Sequence, residues 1–229
     1  MFEISDYNVA YGQSAVINNM NFSMGKSDIV AIMGRNGMGK TTLMKSLIGM
    51  IPSCGGTVKL YDKEIQSQKS HQRVASGIGF VPQGRMIFST MTVQENIETG
   101  LTSTHKKRVP EDLYELFPVL KEMRNRRGGN LSGGQQQQLA IARALASEPS
   151  VLLLDEPTEG IQPSIIKDMA RTLKRIRDER NLAIIVSEQV LSFTLDIADR
   201  IVVLEKGKIV HDEPRNAVDE QKVADYLSV

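Results

Sequence analysis

The sequence predicts an α/β fold: a mostly parallel sheet, a small antiparallel β portion at the start, and a helical subdomain inserted near the middle. Three observations carry this expectation. Apolar runs VLLLD (residues 151–155), LAIIVS (182–187) and RIVVLEKGKIVHD (200–212) alternate with helical stretches, as strands buried on both faces of a parallel sheet do. The first 30 residues alternate apolar and polar in short runs, the pattern of antiparallel strands. From about residue 84 to 149 the pattern changes to the helical period.

Taken in order, FEISDYNVAYG, SAVINNMNFSM and DIVAIMG read as the opening strands, and GGTVKLYDKEI (55–65) adds another, introduced by two glycines. GIGFVPQ is the next strand and ends at Gln83. PEDLYELFPVLKEM is expected to be one helix with Pro110 at its first position, because Leu113, Leu116, Phe117 and Leu120 fall on one face. LSGGQQQQLAIARAL (131–145) starts a second helix from a bare Ser-Gly-Gly turn. PSIIKDMARTLKRIRDER is a long amphipathic helix between the last strands.

Composition narrows the function classes. A net charge of +1 leaves no global basic footprint for nucleic acid, and no nucleic-acid partner is expected. The local run HKKR (105–108) reads as solvated surface. One cysteine, Cys54, allows no internal disulfide. No stretch approaches the roughly 20 apolar residues that span a bilayer, and MFEISDYNVAYG lacks the features of a signal peptide.

GRNGMGKT has the spacing G-x-x-x-x-G-K-T, with Gly34, Gly39, Lys40 and Thr41 in the defining places. The strand IVAIM precedes it and the helix TLMKSLIGM follows, which is the context a phosphate-binding loop requires. Glycines let successive N–H groups of residues 34–42 (Gly34, Arg35, Asn36, Gly37, Met38, Gly39, Lys40, Thr41, Thr42) face a phosphate. Lys40 would reach the β and γ phosphates, and the Thr41 hydroxyl would ligate Mg²⁺. In VLLLDEPTEG, Asp155 arrives at a strand end, where it can hold the metal; Glu156 follows, placed to activate the attacking water. Gln83 at its own strand end can ligate Mg²⁺, contact the water or satisfy a turn. The start of the LSGGQ helix is a second anion-grade helix N-terminus.

GRNGMGKTT, VPQ, LSGGQQQ and LLLDEPTEG, in this order, resemble the ATPase subunit of an ABC transporter over nearly the whole chain. The resemblance implies one nucleotide-binding domain over 1–229, with an ATP-binding core from 1–83 and 150–229 and a helical subdomain over 84–149. It implies ATP and Mg²⁺ as ligands, with Thr41, Gln83 and Asp155 around the metal. It further implies two cassettes facing head to tail, so that Ser132, Gly133, Gly134 and Gln135 of the LSGGQ signature serve the γ-phosphate bound to the partner chain. Tyr11 matches the residue that stacks on adenine, against the alternative of an aromatic packed in the core; Val16 is placed in the same pocket. Met86, Ile87, Phe88 and Met91 either dock a membrane subunit or pack within the helical lobe.

Three positions depart from the family pattern. Gln189, in SEQ, stands where the switch histidine is usual, and takes its place as the third catalytic candidate beside Glu156 and Lys40. Gln162 replaces the usual Asp of the loop after Glu156, and Gln138 stands where many members have Arg. The motifs, above all DEPTEGIQPSIIKD, look like the smaller ATPase of urea and short-chain amide importers, within the branched-chain amino acid importer group. That likeness implies a subunit on the cytoplasmic face of the membrane. Its partners would be permease subunits, a sister ATPase or a second copy, and indirectly a periplasmic solute-binding protein. The alternatives are branched-chain amino acid import, or a non-transport ABC ATPase such as an iron–sulfur assembly factor.

Overall fold

The structure is a computed structural model and describes residues 1–228. Its elements run β1 (Phe2–Tyr11), β2 (Ser14–Met24), β3 (Ile29–Met33), α1 (Lys40–Leu47), β4 (Gly55–Leu60), β5 (Lys63–Glu64), α2 (Ser70–Ala75) and β6 (Ile78–Val81). Four helices follow: α3 (Val93–Thr99), α4 (Glu111–Leu116), α5 (Pro118–Glu122) and α6 (Gly133–Leu145). The chain then runs through β7 (Val151–Asp155), α7 (Pro163–Arg180), β8 (Ala183–Glu188), α8 (Leu191–Ile197), β9 (Arg200–Glu205), β10 (Lys208–Pro214) and α9 (Glu220–Leu227).

Two sheets form. One has the order β2-β1-β4-β5 and its strands pair antiparallel. The other has the order β10-β9-β3-β8-β7-β6, parallel throughout except for the β9–β10 hairpin. The continuous apolar strands have a direct explanation here, because alternate residues enter two different cores. Ile29, Ala31 and Met33 of β3 join the cluster shared with the helices. Val30 and Ile32 face the cluster built with the antiparallel sheet and α1. Leu152 and Leu154 of β7 divide from Val151 and Leu153 in the same way.

Three expectations are corrected. The pattern of DIVAIMG predicts an antiparallel opening strand, but β3 lies in the middle of the parallel sheet, between β9 and β8. RIVVLEKGKIVHD is two strands, because Lys206 and Gly207 both take positive φ and turn the chain back. PEDLYELFPVLKEM is two helices. Pro118 has no N–H to continue α4 and instead opens α5 at its first turn, while Phe117 leaves helical geometry and Pro110 is the cap before α4. The apolar face survives the break, since Leu113, Leu116, Phe117 and Leu120 are all buried. The HKKR run is exposed, and Lys106 pairs with Glu148.

A parallel sheet delivers all its strand ends to one edge. Here β3, β8, β7 and β6 are adjacent, and their carboxyl ends lead into residues 34–39, 189, 156 and 83 respectively. Helix α1 must therefore be held firmly beneath that edge. Tyr7 of β1 shares a 2.7 Å hydrogen bond with Ser46 of α1. Arg73, 1% exposed, donates to the carbonyls of Ser46 (2.7 Å), Leu47 (2.8 Å), Gln66 (2.7 Å) and Gln68 (3.1 Å). A guanidinium at the negative end of α1 satisfies carbonyls that the helix itself cannot.

Arg73→Met removes this donor from the carbonyls of Leu47, Gln66 and Gln68, while that of Ser46 keeps the Gly49 N–H at 2.9 Å. It is expected to lower the unfolding free energy by about 3 kcal/mol, read from urea titrations. A loss under about 1 kcal/mol would remove Arg73 from the framework of the site.

Candidate functional site

The chain leaves β3 through Gly34, whose φ is 156° and where a Cβ would stand 2.4 Å from the Leu204 carbonyl oxygen. It enters α1 through Gly39, at φ 108°. No side chain caps that helix start, so its first N–H groups stay open toward an anion. Val16 lies against the loop: a Cβ on Gly39 would meet its carbonyl oxygen at 3.3 Å.

Lys40 is 4% exposed. Its ammonium donates to the carbonyls of Gly34 (2.6 Å) and Arg35 (3.2 Å) and lies 3.3 Å from Glu156 Oε1. Glu156 follows β7 with a φ of 47°, an uncommon conformation for a side chain of this kind. Its N–H is anchored on the Ser187 carbonyl at 3.0 Å. Gln189 Nε2 donates to Glu156 Oε1 at 2.8 Å and to Asn36 Oδ1 at 2.9 Å. Gln83 Nε2 donates to the other oxygen, Oε2, at 3.3 Å. Lys40, Asn36, Gln83, Glu156 and Gln189 thus form one network drawn from four strand ends.

Asp155 is 1% exposed. Its Oδ1 accepts from Ser187 Oγ at 2.6 Å and from Thr41 Oγ1 at 3.2 Å, while Oδ2 is buried with no partner. Burial holds the carboxyl above the usual carboxylate range. The Ser187 and Thr41 hydrogen bonds oppose that shift, and the Glu156 charge adds to it. A buried, unpartnered carboxylate oxygen beside a threonine hydroxyl fits a hard divalent cation. Among the described residues no three His, Cys, Asp or Glu side chains cluster as metal ligands. Such a cation would take its remaining ligands from neutral side-chain oxygens, a phosphate and water.

Several expected residues do not join the network. Tyr11 ends β1 and is 54% exposed, which excludes the core-packed alternative. The signature turn stands apart within this chain. Ser132 caps α6, accepting from the Gln135 N–H at 3.4 Å, while the Gln135 side chain accepts from the Ser132 N–H at 2.9 Å. A Cβ on Gly134 would meet Ile165 at 2.7 Å, so α7 packs directly against this turn. Gln162 stands at the position before α7, where its side chain makes no capping hydrogen bond, and it does not join the network. Gln138 lies within α6, its Oε1 buried without a partner. Met86 and Phe88 are exposed, whereas Ile87 packs on the core.

Three contributors went unnoticed in the sequence. Ser187 positions both Asp155 and Glu156. Glu188, 2% exposed, accepts from the N–H and hydroxyl of Thr158 and from the N–H groups of Gln189 and Val190. It ties the loop after Glu156 to the one carrying Gln189. Both sit in the SEQ stretch quoted for Gln189, and polar residues closing an apolar strand were the available signal. The third is Arg85, whose guanidinium lies beside Gly133 and Gly160.

A family model described as ABC transporter matches residues 17–159. The chain is 38% identical over 232 residues to the high-affinity branched-chain amino acid transport ATP-binding protein BraG of Pseudomonas aeruginosa, covering 99% of each chain. It is 32% identical over 223 residues to the probable branched-chain amino acid transport ATP-binding protein LivF of Archaeoglobus fulgidus, covering 96% of this chain and 94% of that one. Among solved structures, cbiO1 from Clostridium perfringens, part of an ABC transporter complex, superposes with a TM-score of 0.81 at 25% identity, covering 97% of this chain and 92% of that one. A dimeric ATP-binding cassette in a post-hydrolysis state with ADP and phosphate shares the fold at a TM-score of 0.84 and 23% identity, covering 95% of this chain and all of that one.

If the Asp155 carboxylate serves a cation rather than the fold, Asp155→Asn should leave the thermal midpoint of the nucleotide-free protein unchanged or raised. The sign follows from the raised pKa. The fold favours the protonated acid, so this stabilisation is present at low pH and is lost as pH rises through the folded-state value. Any advantage of the Asn variant therefore grows with pH, while the extra stabilisation given by Mg²⁺ with ATP disappears. A midpoint several degrees lower, with the Mg²⁺ effect retained, would reverse the assignment.

Proposed function

This chain belongs to the ABC transporter family, as an ATP-binding subunit that hydrolyses ATP, and on that premise we propose that it powers a branched-chain amino acid importer. The convergence of Lys40, Gln83 and Gln189 on the Glu156 carboxylate is the observation that carries the residue assignments.

In this reading the open amides of residues 34–42 and the Lys40 ammonium bind the β and γ phosphates, with Tyr11 stacking on adenine and Val16 at the pocket wall. Thr41, Asp155 and Gln83 would hold Mg²⁺, which would neutralise phosphate charge. Lys40 exchanges its loop carbonyls and Glu156 for the triphosphate. That exchange frees Glu156 to accept a proton from water as the water oxygen bonds to the γ-phosphorus and the bond to ADP breaks. Gln189 and Gln83, donating to opposite oxygens of Glu156, hold the carboxylate in position for that transfer.

The signature turn lies outside this network in its own chain, which supports a second cassette, self or sister, that receives it. The turn then covers the γ-phosphate held by the facing chain, and the nucleotide joins the two. Among the described residues no helix is long and apolar enough to cross a membrane. We place the chain peripherally, on the cytoplasmic face, against permease subunits fed by a periplasmic solute-binding protein. Exposed Met86 and Phe88 line a groove with Ile48, Val74, Phe80 and Arg143, which we assign to permease docking.

The cargo follows the relatives. BraG and LivF carry branched-chain amino acid names at 38% and 32% identity, and they favour that reading over the urea and amide cargo that the motifs suggested. ATPase activity of the intact importer, stimulated by loaded leucine-binding rather than urea-binding protein, tests it; stimulation by urea alone would restore the other cargo.

Glu156→Gln should retain ATP binding, lose at least a hundredfold in turnover and accumulate as an ATP-dependent dimer by light scattering. Normal hydrolysis in that variant would move the base elsewhere. Lys40→Ala and Ser132→Arg chains, each inactive alone, should recover activity when mixed, because one pocket then has both halves intact. No recovery would refute the sandwich.

A further inference from the structure

Arg85 has no role in the chemistry described so far, yet it occupies a singular place. It follows Gln83 by two residues and adopts a φ of 67°, with Met86 at 45°. The turn is closed by Arg85 N–H to the Pro82 carbonyl (3.1 Å) and Met86 N–H to the Gly84 carbonyl (2.7 Å). Arg143 of α6 donates to the Arg85 carbonyl at 3.1 Å. The side chain is thereby sent between the signature turn and the loop after Glu156. A Cβ on Gly133 would lie 3.4 Å from both Nη1 and Nη2, and one on Gly160 would lie 3.4 Å from Nη2.

The electrostatics of this place are one-sided. Of the five guanidinium N–H groups, one donates to the Glu159 carbonyl at 2.9 Å. Among the described residues no carboxylate pairs with Arg85 within 4.0 Å. The cation stands at the N-terminal end of α6, whose dipole disfavours it. Two positive groups converge on one spot, and among the described residues no carboxylate lies within 4.0 Å of the guanidinium. The arrangement becomes favourable when an anion enters between them.

We propose that Arg85 belongs to the signature half-site and binds the terminal phosphate of the nucleotide held in the facing cassette's phosphate loop. The inference rests on the two-chain sandwich above. Without Arg85, the half-site offers only the neutral donors of residues 132–135. With it, the γ-phosphate meets a cation from each chain, Lys40 on one side and Arg85 on the other. The bidentate donor geometry of a guanidinium suits phosphate oxygens.

Arg85→Gln removes the charge, and its shorter amide also gives up the exposed Nη2 hydrogen bond to the Glu159 carbonyl. It should lower kcat at least tenfold, with KM for ATP changed less than threefold and the thermal midpoint preserved. Arg85→Lys should retain more activity than Arg85→Gln. Mixed chains locate the effect. Arg85→Gln with Lys40→Ala leaves an intact Arg85 facing the working loop of every heterodimer, so only the Arg85→Gln homodimers are impaired and the mixture should lose less than about twofold against wild type mixed with Lys40→Ala. Arg85→Gln with Ser132→Arg should show the tenfold deficit against wild type mixed with Ser132→Arg. The opposite asymmetry, or an Arg85→Gln chain as active as wild type, would overturn the proposal while leaving the sandwich intact. Failure of the Lys40→Ala and Ser132→Arg mixture to recover activity would overturn both together.

Discussion

The structure depends on one electrostatic arrangement: two acidic residues, Asp155 and Glu156, placed side by side at the end of a buried strand. Two adjacent carboxylates there would repel each other and lose hydration, and the fold answers differently for each. Glu156 is matched by the Lys40 ammonium and two amide donors. Asp155 receives two hydroxyls on one oxygen and nothing on the other. Glu156 is thus held in place by three donors, whereas Asp155 is only half satisfied. In the function we propose, that asymmetry separates a proton acceptor from a metal ligand using the same functional group.

The requirement explains the surrounding architecture. Lys40 comes from the helix after β3, Gln83 from the end of β6, and Gln189 from the end of β8. Only a parallel sheet brings those ends to one edge without long excursions of chain. The strand order β3-β8-β7-β6 puts Asp155 beside Ser187 in register and Met33 beside Glu188. Glu188 then links the two loops that carry Glu156 and Gln189, so their side chains keep a fixed separation. The antiparallel sheet and Arg73 act from below, fixing α1 and with it the open helix start.

Much of this was legible in the sequence because its physics is local. A glycine-rich turn between an apolar strand and a helix announces itself, as does an acidic pair after four aliphatic residues. Strand partners are not local, which is why β3 was grouped with the wrong sheet: five apolar residues do not say which neighbours cover them. The same limit hid Ser187, whose importance lies in facing Asp155 across a strand pair. The break at Phe117 was missed for another reason. The apolar period continues through Pro118, and periodicity took precedence over the missing N–H.

Gln189 shows why a departure from a family pattern needs a structure to interpret. Read as a letter, it is a lost imidazole. In place, its amide reaches Asn36 of the phosphate loop and Glu156 at once, so one neutral group joins the two halves of the network. An imidazolium there would add a second cation beside Lys40 and compete for the same carboxylate. A neutral amide instead leaves one ammonium against one carboxylate. It also keeps a group that titrates near neutral pH away from the reaction. In the mechanism we propose, Gln189 therefore positions Glu156 without carrying a proton, and Glu156 alone accepts it.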